Sequence, residues 1–145
     1  MALIALLAQT LATGFMVGLI WFVQVVHYPL LAHVGREAFP NYEAEHTRRT
    51  GYVVAPVMLV ELFTAAWMLL DPPADVPLIW PAVGAVLVVA IWVTTGLVQV
   101  PLHRRLSAGF SVEAHGVLVR SNWVRTALWS LRGLVVLGIW AQLAW

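Results

Sequence analysis

Four long apolar stretches alternate with short polar ones along this chain, and this pattern predicts the fold. The apolar stretches run from about Leu3 to Val26, Tyr52 to Leu70, Leu78 to Val100 and Trp123 to Trp145. Each is long enough for an α-helix that crosses the hydrocarbon core of a bilayer, which takes about 20 apolar residues. The pattern therefore predicts an all-α integral membrane four-helix bundle, with residues 1–145 forming a single transmembrane domain.

Composition agrees with lipid as the solvent of this fold and narrows the chemistry. Apolar residues make up 61% of the chain, against roughly 45–50% in a soluble domain. The absence of cysteine excludes a disulfide framework, a dithiol redox pair and thiolate metal ligation. The formal net charge of +1 gives no indication of a nucleic-acid partner. The partner predicted from the apolar composition is the lipid bilayer.

All eight basic residues are arginines, and their placement predicts the orientation in the membrane. Three lie in the gap after the first apolar stretch and three in the gap after the third, whereas the gap between the second and third holds two aspartates. By the positive-inside rule, the arginine-bearing gaps face the cytoplasm and both termini face outward. We therefore expect a multi-pass protein of a bacterial-type inner membrane, whose first stretch is too long for a signal-peptide core and is retained.

A short internal repeat divides the chain into two halves, each with one inward and one outward stretch. Val23-Gln24-Val25 reappears as Val98-Gln99-Val100, and each triplet is followed by a Pro-Leu pair, at Pro29 and Pro101. Since both halves cross the membrane in the same order, the repeat would be parallel, with its pseudo-two-fold axis along the membrane normal. The alternative is chance similarity in a chain this rich in valine, leucine and proline.

Polar segments follow each proline and lead into the second and fourth apolar stretches. We expect the segments from Glu37 to His46 and from Ser111 to His115 to form short amphipathic helices at the cytoplasmic surface. Ser111 is a suitable N-cap for the second segment, because its hydroxyl can accept a hydrogen bond from the backbone at the helix start.

Two charged residues of opposite sign lie deep in the apolar stretches. Glu61 lies nine residues beyond Tyr52 and Arg132 nine beyond Trp123, so both are roughly 13–14 Å from the cytoplasmic ends of their helices. An unpaired ion at this depth costs about 3 kcal/mol on insertion scales, whereas a bidentate Arg–carboxylate contact satisfies both groups. We therefore expect Glu61 and Arg132 to meet, either as a structural salt bridge or as the charged wall of a pocket.

Polar side chains from all four stretches are predicted to converge near the cytoplasmic end. On the fourth stretch, polar and aromatic residues recur at intervals of three and four, so they share one helix face that must point at protein rather than lipid. Gln24 with His27, and Gln99 with His103, have the same kind of spacing on the inward stretches. The predicted cavity is lined by Gln24, His27, His46, Arg49, Glu61, Gln99, His103, Asn122, Arg125 and Arg132, and Trp129 shares the face of the fourth stretch.

Several kinds of chemistry fit such a cavity, and the sequence leaves the choice open. Two facing imidazoles could ligate a haem iron, or His27, His46 and His103 with Glu61 could form a nitrogen–oxygen site for iron, copper or zinc. Alternatively, the arginines could hold an anionic or quinone-like substrate while a histidine moves protons. Glu43 and His46 have the Glu-x-x-His spacing of carboxylate-bridged dimetal bundles, but such bundles use two copies and only one is present.

Three groups of residues carry a resemblance to a known family. They are His27-Tyr28-Pro29-Leu30, Phe39…Tyr42…His46…Arg49 and Asn122-Trp123…Arg125…Trp129…Arg132. In these motifs the chain resembles the small four-span membrane proteins grouped with anthrone-oxygenase-like proteins, which implies an oxidative reaction on a hydrophobic substrate such as an aromatic compound. The layout is more distantly similar to HemJ-type protoporphyrinogen oxidases, which implies haem. That family has a histidine near the start of its first span and a lysine, whereas this chain has Gln9 and no lysine.

Three classes of function follow from these residues. The first is a membrane-embedded oxidoreductase or oxygenase-like enzyme, whose catalytic groups would be His27, Glu61, His103 and Arg132. In the same hypothesis the metal ligands or proton carriers are His27, His46 and His103, and the cofactor- or ligand-binding residues are Gln24, Arg49, Gln99, Asn122, Arg125 and Trp129. The second class is a small-molecule transporter, and the third is an accessory or assembly subunit whose polar core is structural. Glycine spacings such as Gly14…Gly18 and Gly133…Gly138 leave a homo-oligomer open.

Overall fold

The protein is an all-α bundle of four long helices. The computed structural model describes residues 1–144, and their helices are α1 (Ala2–His33), α2 (Phe39–Leu70), α3 (Ile79–Ser107) and α4 (Val112–Ala144). Each helix is long and apolar enough to cross a membrane, which confirms the predicted fold class and makes this a multi-pass membrane protein. The predicted fourth span ended at Trp145, which lies outside the described residues.

The helices form a ring in which each one packs against two neighbours. α1 and α3 are diagonal to each other, and both pack against α2 and α4. Apolar clusters fill the space between the helices at three levels, and the outward faces carry side chains such as Leu11 and Leu97, which are about three-quarters exposed in the isolated chain. Such outward faces are suited to contact with lipid rather than water.

The helices extend beyond the predicted spans at one end of the bundle. This end carries the α1–α2 and α3–α4 connections and six arginines that lie in them or in the adjoining helix turns, and we call it the arginine-rich end. The prediction of separate amphipathic helices here is wrong, because both polar segments form the first turns of α2 and α4. The N-cap prediction is confirmed, since the backbone N–H of Ala114 donates a 3.2 Å hydrogen bond to the Ser111 hydroxyl.

α1 and α3 each contain one π-helical turn, at Val23–His27 and at Thr95–Gln99. Each turn ends two residues before a proline, Pro29 or Pro101. Because proline lacks an N–H and its ring clashes with the carbonyl four residues earlier, a wider turn relieves the conflict. When the two halves are aligned on these prolines, Gln99 corresponds to His27, whereas alignment on the Val-Gln-Val triplets pairs Gln99 with Gln24. The π-helical turns therefore give the internal repeat a different register from the triplets.

Candidate functional site

All four helices meet at a buried ion pair in the middle of the bundle. Glu61 of α2 and Arg132 of α4 are each 1% exposed, and Arg132 Nε donates a 3.0 Å hydrogen bond to Glu61 Oε2. The other carboxylate oxygen accepts a hydrogen bond from the Thr13 hydroxyl of α1. On α3, a Cβ atom at Gly84 would collide with the Arg132 guanidinium. The predicted meeting of Glu61 and Arg132 is therefore confirmed, and we call this cluster the central clasp.

The central clasp differs in one respect from the bidentate contact that the sequence favoured. Arg132 uses Nε toward Glu61, while its Nη2 has no hydrogen-bond partner within residues 1–144. Thr13 takes the carboxylate oxygen that a second guanidinium N–H would have used. The pair nevertheless joins α2 and α4, which lie diagonally opposite each other across the bundle axis.

A cavity of about 440 Å³ lies between the central clasp and the arginine-rich end. Its volume is in the range of small-molecule sites, which are mostly apolar with a few polar groups. The apolar lining comes from Met16, Leu19, Ile20, Val23, Val54, Ala55, Met58, Trp92 and Val100. The polar or small lining residues are Tyr28, His46, Thr47, Thr50, Gly51, Thr95, Gln99, His103, Arg104, Ser107 and Arg125.

A carboxylate, an imidazole and a phenol form one hydrogen-bonded chain at the polar end of this cavity. His103 Nδ1 contacts Glu43 Oε1, and His103 Nε2 lies 2.8 Å from the Tyr28 hydroxyl. Glu43 is completely buried and Tyr28 is nearly so. Because a buried carboxylate accepts a hydrogen bond from the nearer ring N–H, it orients the imidazole with its other nitrogen toward the phenol. We call this arrangement the Glu43–His103–Tyr28 relay.

A second pair of histidines lies beside the relay. His27 Nε2 and His46 Nδ1 are 3.0 Å apart, and the His46 ring nitrogen also lies 3.2 Å from the Thr50 hydroxyl. The ring centroids of His46 and His103 are 5.6 Å apart. His46 lines the cavity, whereas His27 lies behind His46. Three imidazoles from three helices are therefore grouped at one level, as the sequence predicted.

Amide side chains hold the arginine of the cavity wall in place. Gln24 Oε1 accepts a 2.9 Å hydrogen bond from Asn122, and Asn122 Oδ1 accepts one of 3.0 Å from Arg125 Nη1. Gln24 also donates to the carbonyl of Val119. Gln24 and Asn122 are not among the lining residues of the cavity, so they support Arg125 rather than contact a ligand themselves.

Four residues of the cavity wall carry buried polar atoms that find no hydrogen-bond partner among residues 1–144. They are Trp92 Nε1, Thr95 Oγ1, Gln99 Oε1 and Arg125 Nε. Buried polar groups are satisfied in the great majority of cases, because an unmet one costs roughly 1–3 kcal/mol. Four such atoms around one cavity mark it as a place where a polar ligand or bound water would complete the hydrogen bonding.

The structure separates the predicted site residues into three groups. His46, Gln99, His103 and Arg125 line the cavity, while Gln24, His27 and Asn122 lie behind them. The prediction that Glu61 and Arg132 line the same cavity is wrong, because both are enclosed in the central clasp. Trp129 also lies off the wall, buried in an apolar cluster with Met16, Ile20, Met58 and Ile91.

Arg49 was predicted in the cavity and lies outside it. Its side chain is 74% exposed and pairs with Glu45 at 2.6 Å on the outer surface of α2. The lining residues of this helix, from Thr47 through Gly51 and Val54 to Met58, repeat at the helical spacing of three or four. Arg49 falls on the opposite side of the helix from them, since successive residues are turned by about 100°.

Sequence reasoning missed four functional candidates: Glu43, Tyr28, Trp92 and Thr95. The sequence places Glu43 in a surface helix and in a single Glu-x-x-His spacing with His46, and does not predict it at the cavity, although that spacing puts both residues on one helix face. Tyr28 enters the sequence argument only as part of the His27-Tyr28-Pro29-Leu30 motif and not as a cavity residue. Trp92 and Thr95 belong to an almost uniformly apolar stretch, where nothing in the spacing distinguishes a cavity wall from a lipid-facing one.

The described residues do not assemble the predicted metal site. Across residues 1–144, no group of three or more His, Asp or Glu side chains is arranged to hold a metal ion. His27 and His46 point at each other, and both ring nitrogens of His103 are engaged in the relay. The same engagement of both ring nitrogens opposes His103 as a metal ligand or as an axial haem ligand.

Comparisons of the chain with protein-family models, with curated proteins and with solved structures give no match.

Proposed function

We propose that this protein is a membrane-embedded oxidoreductase or oxygenase-like enzyme that binds a hydrophobic aromatic or quinone-like molecule and takes a proton from it. The observation that carries the proposal is the apolar cavity that ends on the Glu43–His103–Tyr28 relay. An apolar body would lie among side chains such as Ile20 and Met58, with its hydroxyl or carbonyl groups toward the relay. The resemblance to anthrone-oxygenase-like proteins favours the same substrate class.

The relay supplies the acid–base part of such a reaction. An acidic O–H of the ligand would give its proton to the Tyr28 oxygen, while the Tyr28 proton passes to His103 Nε2. Glu43 would stabilise the imidazolium that forms, because a buried carboxylate next to a cation offsets the cost of the charge. Glu43 is thus the orienting group, His103 the base and Tyr28 the group in contact with the ligand.

The oxidative part needs an electron acceptor, and we propose dioxygen for that role. A hydroquinone-like ligand that loses two protons and two electrons becomes a quinone. Dioxygen that accepts these two electrons and two protons becomes hydrogen peroxide. Deprotonation comes first, since a phenolate gives up electrons more readily than the neutral phenol. The protein's own contribution is to bind the ligand in a mostly apolar cavity and to move the proton.

The arginine distribution supports a cytoplasmic location for the arginine-rich end. The cavity would then lie in the inner leaflet of a bacterial-type inner membrane, with both termini outside. A hydrophobic ligand dissolved in the bilayer would reach this depth without crossing water.

The experiment is an oxygen-uptake assay on the detergent-purified protein with a panel of hydroquinones and hydroxylated polycyclic aromatics. We expect uptake that falls by about 10²-fold or more in His103→Gln and in Tyr28→Phe, since a positioned acid–base group contributes that much. His33→Gln is the matched control, because His33 is exposed near the same end of α1. Uptake that is equal in His103→Gln and the parent protein would exclude the relay as the source of activity.

An accessory or assembly subunit is the second candidate, and the central clasp favours it. Glu61 and Arg132 satisfy each other away from the cavity, as a structural polar core requires. A protein with no turnover and no ligand binding, but with a co-purifying membrane partner, would support this candidate instead. A transporter is less well supported, because the cavity ends against Met16, and Ile91 and Trp129 are buried in the same apolar cluster behind it.

A further inference from the structure

Arg125 is a buried cation on the wall of the cavity. Its residue is 6% exposed, and Nη1 donates a 3.0 Å hydrogen bond to Asn122 Oδ1. The Tyr28 hydroxyl lies beside the guanidinium. Neither neighbour is an anion, and Nε has no acceptor in the part of the chain that the structure describes.

The two buried arginines of α4 therefore differ in one decisive way. Arg132 has the carboxylate of Glu61, whereas no carboxylate within residues 1–144 forms an ion pair with Arg125. Glu43, the buried acid at the same end of the bundle, is engaged by His103. Because a buried cation without a counter-ion is unfavourable, Arg125 calls for an anion from outside the chain.

We infer that the ligand of this cavity is an organic anion, an aromatic body bearing a carboxylate or phenolate that pairs with Arg125. This inference rests on the proposed function, in that it assumes the cavity is a ligand site. A second polar group on the ligand, a hydroxyl, would satisfy Gln99 Oε1, which is an acceptor, and Thr95, which can donate or accept. The ligand class is thus a hydroxylated aromatic acid or a polyphenolate rather than a neutral hydrocarbon.

The cavity volume decides between two sources of such an anion. Free aromatic acids and the headgroups of anionic lipids share the same chemistry toward an arginine. A volume of about 440 Å³ is at the small end of the range for drug-sized ligands, and a two-chain lipid is considerably larger than these. We therefore commit to the small aromatic anion.

The test measures binding of matched ligand pairs by quenching of tryptophan fluorescence, since Trp92 is in the cavity wall. The pairs are hydroxy-substituted benzoate, naphthoate and anthracene carboxylate, each against its neutral carboxamide. We expect at least one carboxylate to bind tenfold or more tightly than its amide, and Arg125→Gln to remove this preference. Arg125→Lys should retain a large part of it, and Arg49→Gln, at an exposed arginine, should leave it unchanged.

Each outcome of this experiment decides something definite. Equal binding of carboxylate and amide by the parent protein would overturn the anion inference but leave the cavity as a ligand site. Absence of binding by every member of the panel would overturn both the inference and the proposed function. Competition by short-chain phosphatidylglycerol without binding of any aromatic acid would identify a lipid and contradict the ligand class. Thermal unfolding of each variant verifies that it is folded.

Discussion

Removing one member of the central clasp should destabilise the protein far more than removing both. Glu61→Met leaves Arg132 buried in the middle of the bundle without its carboxylate, and Arg132→Met leaves Glu61 in the same position. Breaking a buried pair in this way costs about 3–5 kcal/mol, because an uncompensated charge remains. Replacing both residues by apolar ones of similar size is often neutral, so the double variant should lie within about 1–2 kcal/mol of the parent protein.

The assay is reversible unfolding in mixed micelles, followed by the circular dichroism of the helices. A double-mutant cycle then gives the coupling between Glu61 and Arg132, which we expect to exceed about 3 kcal/mol. Glu45→Met is the control, since Glu45 forms surface ion pairs with Arg48 and Arg49, and its loss should have little effect on unfolding. Additive effects of the two single substitutions would show that the clasp is not an energetic unit and would refute this reasoning.

Three further predictions address packing, access and chemistry. Gly84→Ala should lower the free energy of unfolding by about 1–3 kcal/mol, because the new methyl group overlaps the Arg132 guanidinium, while Gly18→Ala, which meets open space, should not. Gly51→Leu should weaken ligand binding without lowering the unfolding temperature, since Gly51 lines the cavity, is exposed and has room for a side chain; equal affinity would exclude the cavity wall at Gly51 as part of the ligand site. Glu43→Gln should reduce turnover by about tenfold or more with a smaller change in KM, measured by oxygen uptake, because it removes the charge that stabilises protonated His103.

The fold could be predicted from the sequence because the bilayer leaves few alternatives. Apolar stretches of membrane length must be helical, since lipid offers no partner to an open backbone. The same argument does not fix where a helix ends outside the membrane. α2 begins at Phe39 because that side chain is completely buried in a cluster with Tyr28 and Leu31 of α1, and such a tertiary contact has no signature in local composition.

The site was only partly accessible to the same reasoning. Counting residues from the helix ends brought Glu61 and Arg132 to one depth, because depth in a straight helix follows directly from sequence separation. Rotation about the helix axis is not fixed in that way. Arg49 and Thr50 differ by one position, yet one lies on the surface and the other lines the cavity. Which side of a helix end faces the cavity is therefore set by packing against the neighbouring helices and cannot be predicted from residue spacing alone.

The unfolding free energies of variants at the two buried arginines of α4 distinguish an arginine that stabilises the bundle from one that serves ligand binding. Arg132→Met removes a cation that has a carboxylate partner, so it should cost about 3–5 kcal/mol. Arg125→Met removes a cation that has no carboxylate partner, and this relieves the cost of a buried charge. The substitution also loses hydrogen bonds that contribute about 0.5–1.5 kcal/mol each. In the absence of ligand it should therefore be as stable as the parent protein within about 1 kcal/mol, or more stable, because residues held for binding are often unfavourable for folding. If Arg125→Met unfolds as readily as Arg132→Met, Arg125 is a structural element of the bundle, and the reason for expecting an anion in the cavity is removed.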